Sequence, residues 1–564
     1  MPVPNANPLL ILCLDAVDRN LLEQWIRAGE LPNLARLMRL GTYVPLERDP
    51  WLVAESSFNM ALTGCEKMVT GHWGSYRFDA ENYRVSEGNY YAYDEYPPFF
   101  AMGEQVRAAI FDVPQVPICR NLNGVQVVGW GAHAPDAPTR SQPAGLLEEL
   151  CAKHGRHPAL HNDGVNWWRH KDLAKLYGRL CEGIERRFAI LEDLFTREPW
   201  DLMVSVFGEL HSAGHAMFHH SQPNHPLYHE PCARRFEFDP MLGLLKKIDD
   251  GIQRLLERLP SNVRMMIFAQ EGVAPNAADL CSNIHLGELC YRLSFPGRRG
   301  VHSSSRGEPL PNGDFPSGYR FYDDNAMTES LWRWFEEPNA VRRLLRRYAP
   351  KKLRRTLDRL GLVGNAGGLL SPHGGLRKLS PGLRALPAMI YRDLWSKMKF
   401  FALPSFSQGT VRVNLRGRES AGLVSPAEYR GLLDDLSEKL LALRDPRTGD
   451  AVVKEVWQTR EEPLDANPHL PAGDLLVDFH PRAVDVVESE AVDRIGPFRF
   501  YRTGGHLPHG FCLLSGAGIP AGARLPVGGL LDIGPTAWRL LGLTPPAYMQ
   551  GQSLFQSAAA PRAA

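Results

Sequence analysis

Two histidines four residues apart, His211 and His215 in the segment ELHSAGH, form the first grouping in this sequence that could do chemistry. If the segment turns as a helix, that spacing puts both imidazoles on one face, as in zinc-binding histidine pairs. His219, His220, His225 and His229 crowd the same stretch, so a merely histidine-rich loop is the competing reading. Asp15 follows the apolar run LLILCL, where an unpartnered carboxylate would be costly to bury. A helix cap is its alternative role, although Asp18 is better placed for one. The pair Gln270-Glu271 ends another apolar run in the same way.

These residues need a frame that brings strand ends together. Apolar runs that end in polar residues recur between helical stretches: Leu9–Leu14, Gly124–Trp130, Leu202–Phe207, Val263–Ala269, Asp474–Phe479 and Phe511–Leu514. This alternation predicts a mostly parallel sheet with helices on both faces. Ligands in such sheets bind beyond the carboxyl ends of the strands, where Asp15, the segment Glu209 to His215, and Gln270-Glu271 fall. Residues 295–395 break the rhythm. They are rich in Gly, Pro, Ser and Arg and include VRRLLRRYAPKKLRRTLDRL, an amphipathic helical pattern interrupted at Pro350. The expected organisation is a catalytic α/β core over 1–294 and 396–556, an inserted helical subdomain over 295–395, and a disordered tail over 557–564. The basic insertion reads as a solvated helical face, or as a cap that attracts an anionic substrate or grips a partner or lipid surface.

Composition narrows the class. With 564 residues the chain can bury a large core, and a net charge of +1 gives no global pull toward nucleic acid or a membrane surface. Nine scattered cysteines without a CxxC pair argue for reduced thiols, hence a cytoplasmic location. The apolar N-terminal run lacks a basic flank and a clean cleavage site, so it reads as a buried strand. No run approaches the roughly 18 apolar residues of a membrane span. Oligomeric state is not encoded in any of these features.

Seven segments in order resemble the type I phosphodiesterase/nucleotide pyrophosphatase branch of the alkaline phosphatase superfamily. LDAVDRNLLEQWIRAGELPNLARLMRLG resembles its opening strand, Asp and G-x-LPNL-x-x-L helix, and AESSFNMALTGCEKMVTGHWG its nucleophile segment. VFGELHSAGH is similar to the D-x-x-x-H metal motif, and IFAQEGVAPN to the strand ending in S-D-H-G-M. ALPSFSQGTVRVNLRGRE, RTGGHLPHGFCLLSGAGI and LDIGPTAWRLLGLTPPAYMQGQSL resemble the late N-x-x-GRE turn, the G-x-H-x-x-x-G segment and the closing D-x-x-PT helix. The resemblance covers the chain apart from the insertion and both tips. It implies an alkaline phosphatase-like α/β fold and a small anionic substrate. It also implies two divalent ions, usually zinc, flanking a Ser or Thr nucleophile.

Carried onto this chain, the resemblance implies a rewritten site. Asp15 is retained. His211 replaces the Asp of D-x-x-x-H, while His215 is kept and His506 answers to the late histidine. Together they make a neutral three-His set able to keep one position open. The D-H pair becomes Gln270-Glu271. Gln270 cannot supply a carboxylate's charge, whereas Glu271 is left to ligate an ion or act as a base. The second ion is therefore expected to be lost. The nucleophile position falls on Ala54, followed by Glu55, Ser56 and Ser57; a slipped register would install Ser56, and Glu55 is the alternative as base, ligand or nucleophile. Arg502 is a candidate for pairing with an anionic substrate group, or for pairing with a nearby carboxylate. The expected function is metal-dependent hydrolysis of a phosphate, phosphonate or sulfate ester. The competing readings are a lyase or transferase on the same scaffold and a non-catalytic binding protein.

Overall fold

The computed structural model describes residues 7–47, 56–88, 90–131, 138–161, 167, 170–223, 225, 227–228, 236–301, 303–310, 339–350, 353, 356, 386–498, 500 and 502–555. They divide into two compact units, one of residues 1–75, 88–275 and 503–564, the other of 76–87 and 276–502.

The first unit contains strands β1 (Leu9–Cys13), β2 (Gly41–Glu47), β3 (Gly103–Phe111), β4 (Leu122–Val128), β5 (Arg140–Gln142), β6 (Leu202–Val206), β7 (Arg264–Ala269) and the short β8 (Gly272–Pro275). The second unit adds β9 (Phe400–Leu403), β10 (Gly409–Val413), β11 (Val453–Gln458) and β12 (Leu475–Phe479). The chain then returns to the first with β13 (Gly504–Leu507), β14 (His509–Ser515), β15 (Ala523–Arg524) and β16 (Gly528–Gly529).

A ten-stranded sheet carries the first unit, in the order β15-β2-β14-β7-β1-β6-β3-β4-β5, with β16 also on β2. The central strands β7, β1, β6, β3 and β4 are all parallel. β1 sits in the middle and is apolar on both faces, as a strand covered on both sides must be. Leu10 and Leu12 pack in one core, Leu9, Ile11 and Cys13 in the other. Helices α1 (Arg19–Arg27), α2 (Pro32–Leu40), α4 (Leu146–His154), α5 (His170–Arg197), α6 (Glu209–Ser221) and α7 (Pro240–Leu256) bury their apolar stripes in the first of these cores. Helices α3 (Ser57–Thr63) and α8 (Ile533–Leu540) bury theirs in the second. At about 1.5–3 kcal/mol per fully buried leucine, these two cores hold the sheet's edge still enough to aim side chains from it.

The mostly parallel sheet with helices on both faces matches the expected fold class, with two departures. β14 runs antiparallel to β7 and β2, so its first residue, His509, starts at the edge where β7 ends. The run Asp474–Phe479 forms β12 in a separate antiparallel sheet of order β9-β10-β12-β11. Residues 396–502, expected to return to the core, thus fall in the second unit. There the NLRGRE turn serves structure: Arg418 forks onto Asp474 with Nη1 and Nη2 at 2.6 and 2.7 Å. Most of 295–395 lies outside the described residues. The described part includes the helix Ala340–Tyr348, which stops before Pro350 because the residue preceding a proline is driven out of the helical region. Among the described residues no helix is long and apolar enough to cross a membrane.

Candidate functional site

Four strand ends of the first unit meet at one edge of its sheet. Cys13 at the end of β1 pairs in register with Val206 of β6 and Phe268 of β7. Asp15, the start of α6, and Gln270-Glu271 therefore leave the sheet side by side. β8 and β13 form a two-stranded antiparallel ribbon in which Val273 faces His506. That ribbon lies close against α6. A β-carbon on Gly504 would come within 2.3 Å of the Gly214 carbonyl and 2.7 Å of Val273. Only glycine lets the backbone pass, and it brings the Gly504 carbonyl to the His215 ring.

The helical turn inferred for ELHSAGH is present in α6, and His211 and His215 share a face with ring centroids 4.6 Å apart. The His506 ring is 4.9 Å from each of them. The outer nitrogen of each ring has an oxygen beside it. His215 Nδ1 donates to the Gly504 carbonyl at 2.8 Å. His211 Nδ1 is 3.2 Å from Asp15 Oδ2, and His506 Nδ1 is 3.0 Å from Glu271 Oε1. Neither of these last two approaches has hydrogen-bond geometry, so they are close contacts at those distances. The Nε2 atoms of His211 and His215 face each other at 3.0 Å.

This donor set suits a divalent metal. Ligand atoms of His211, His215 and His506 all lie within 4.8 Å of one another, as do those of Asp15, His211 and Glu271. The 3.0 Å spacing of the two Nε2 atoms is near the roughly 3.3 Å separating tetrahedral ligands about 2.0–2.1 Å from zinc. Metal-binding histidines also characteristically tie their second nitrogen to a carboxylate or carbonyl; His215 does so, and His211 and His506 each have a carboxylate beside theirs.

Beneath the cluster, Cys13 Sγ donates to Gln270 Oε1 at 3.2 Å, and Gln270 Nε2 donates to Asp15 Oδ1. Burial pushes the Cys13 thiol well above its ordinary value, aided by the charges of Asp15 and Glu271, so it stays a protonated donor. The head of α6 is pinned separately. Glu209 Oε1 accepts from Arg187 Nε at 3.0 Å and lies 3.1 Å from His157 Nε2, and Arg187 reaches Asp112 at 2.8 Å. Burial raises the Glu209 carboxyl, but Arg187 and His157 outweigh it and hold the group below its usual range.

The structure thus brings together Asp15, His211, His215, Glu271 and His506, all in the first unit. Asp18, not Asp15, caps α1, accepting from the Leu21 amide at 2.8 Å. Glu55 lies outside the described residues. Ser56 is the buried residue preceding α3. A hydroxyl that reaches the cluster is that of Ser57, passed over above in favour of Ser56; its Oγ donates to Glu271 Oε2 at 3.4 Å. Its signal was the first-turn position on α3, a cue that counting back from Thr63-Gly64 does not use. Arg502, in the second unit, follows the alternative given for it. Its Nε and Nη2 hold Asp279 at 2.7 and 2.8 Å, and the guanidinium lies 4.7 Å from the centre of the Phe406 ring.

In comparison with known proteins, residues 9–290, half of the chain, match the sequence pattern of the type I phosphodiesterase / nucleotide pyrophosphatase family. No curated protein matches the chain. Among solved structures, phosphonoacetate hydrolase from Sinorhizobium meliloti 1021, in complex with phosphonoformate, is similar at 12% identity over 94% of each chain, with a TM-score of 0.44. Human ectonucleotide pyrophosphatase / phosphodiesterase 5 is similar at 10% identity over 98% of this chain and 99% of its own, with a TM-score of 0.45. Wild-type alkaline phosphatase PafA is similar at 12% identity over 99% of this chain and 100% of its own, with a TM-score of 0.45.

Proposed function

The chain belongs to the type I phosphodiesterase / nucleotide pyrophosphatase family, and from that premise we propose that it hydrolyses an ester of a small phosphorus oxyanion at a zinc site of three imidazoles. The observation that carries the proposal is the convergence of His211, His215 and His506, each with an oxygen beside its outer nitrogen. Three neutral imidazoles favour zinc over magnesium or calcium, which take oxygen ligands. When bound, the ion would neutralise phosphoryl oxygen charge and stabilise the leaving oxygen.

The chain's own residues supply the rest. Ser57 Oγ is the nucleophile, and Glu271 takes its proton as the Oγ–P bond forms and the P–O bond to the leaving group breaks. That proton passes to the leaving alkoxide. Water then hydrolyses the phosphoserine, with Glu271 accepting its proton and returning it to Ser57. Asp15 and Gln270 hold the His211 ring in place from below.

The test is turnover of p-nitrophenyl phosphate, bis-p-nitrophenyl phosphate and p-nitrophenyl phenylphosphonate by zinc-loaded protein, with Ser57→Ala beside Ser56→Ala. Turnover of at least one ester is expected, with Ser57→Ala lowering kcat by about 10²-fold or more and Ser56→Ala within about threefold. Inertness toward all three esters, or full activity in Ser57→Ala, contradicts the proposal.

A further inference from the structure

We propose that Asp15 and Glu271 are not ligands of a second ion. They act instead as carboxylate partners on the Nδ1 edges of His211 and His506, so that the imidazoles present Nε2 to a single ion. The inference rests on the three-imidazole reading above and concerns what surrounds it.

Three observations favour it over a second ion held by Asp15, His211 and Glu271. The first is that both candidate groups share His211. Its Nε2 lies 3.0 Å from His215 Nε2, while its Nδ1 lies 3.2 Å from Asp15. Filling both groups would require one imidazole to bind an ion through each nitrogen, which only the deprotonated imidazolate can do.

The second is the orientation of Gln270. A carboxylate only accepts hydrogen bonds, so Asp15 selects the Nε2 amide of Gln270, and the Cys13 thiol selects its Oε1. One Asp15 oxygen is thereby taken up by Gln270, and the other is turned to His211. A second carboxylate at position 270 would repel Asp15; the glutamine donates to it and fixes it in place.

The third is that Glu271 divides in the same fashion, with Oε1 toward His506 Nδ1 and Oε2 toward the Ser57 hydroxyl. A carboxylate that accepts a hydrogen bond from Nδ1 selects the tautomer that leaves Nε2 its lone pair, orients the ring and raises its basicity, and removing one costs about 10–100-fold in metal affinity.

The experiment is titration of metal-free, full-length protein with zinc against a chromophoric chelator, and with cobalt followed by visible absorption. It compares wild type, Asp15→Asn and Glu271→Gln, with thermal unfolding of each metal-free protein as the fold check. Expected are about one ion per chain in all three proteins, a Kd raised about 10–100-fold in each variant, and cobalt bands shifted in position but still of tetrahedral intensity. Two ions in wild type, one of them lost in Asp15→Asn or Glu271→Gln with the other's affinity unchanged, overturn the inference and leave the three-imidazole site standing. Unchanged affinity in both variants also overturns it. No ion in wild type removes the three-imidazole reading itself, and the inference with it.

Discussion

At the scale of single residues, buried imidazoles set the chain's response to pH. His225 is pushed down to about 4 and His285 to about 3, both by burial, and His219 falls well below its ordinary value by burial and by the nearness of His220 and His225. Each is neutral in the folded chain but takes a proton in the unfolded chain below about pH 6.5. Their contribution to stability is therefore whole above about pH 6.5 and drains away as pH falls toward the folded values, at up to about 1.4 kcal/mol per pH unit for each group. Unfolding of the metal-free protein by denaturant, compared at pH 7.5 and pH 5.5, is expected to show the loss; equal stability at both would contradict it. The same scale explains what could be foreseen of the site. Asp15, Gln270 and Glu271 were visible because each ends an apolar run, and His211 with His215 because their spacing matches a helix turn. Ser57 was passed over for its neighbour Ser56, because which hydroxyl faces Glu271 is decided by how α3 begins and not by a count along the chain.

At the scale of elements, the site depends on the antiparallel ribbon of β8 and β13 resting on α6. Gly504 permits that contact, and its carbonyl fixes the His215 ring. Gly504→Ala is expected to lift β13 from the helix, lowering stability by about 1–3 kcal/mol through overpacking and weakening metal binding through His215 and His506 together. Melting and zinc titration of the variant check this, and wild-type values in both would refute it. Strand types were readable from apolar runs, but strand partners were not. The five residues of β12 carry no mark of which sheet they join, so Asp474–Phe479 was assigned to the core and lies in the second unit's sheet. β2 was hidden by Pro45, since proline reads as a break in a strand. It is tolerated because the outer neighbours of β2 pair at Thr42–Tyr43 and Leu46–Glu47, leaving the gap where Pro45 falls.

At the scale of the whole molecule, a net charge of +1 provides no long-range attraction for an anion. Attraction must arise at the site. Without a metal the cluster offers two carboxylates, Asp15 and Glu271, which repel phosphate. A divalent ion offsets those two charges and leaves a pocket an oxyanion can enter. Metal binding is therefore the hinge of the account, and family membership alone does not supply it, because the chain departs from the family at His211, Gln270 and Glu271. The most direct measurement is elemental analysis of purified full-length protein, wild type beside His211→Ala and His506→Ala, after equal exposure to zinc and removal of the excess. The account predicts about one zinc per chain in the wild type and almost none in either variant. Zinc retained in full by His211→Ala or His506→Ala, or absent from the wild type, would contradict it.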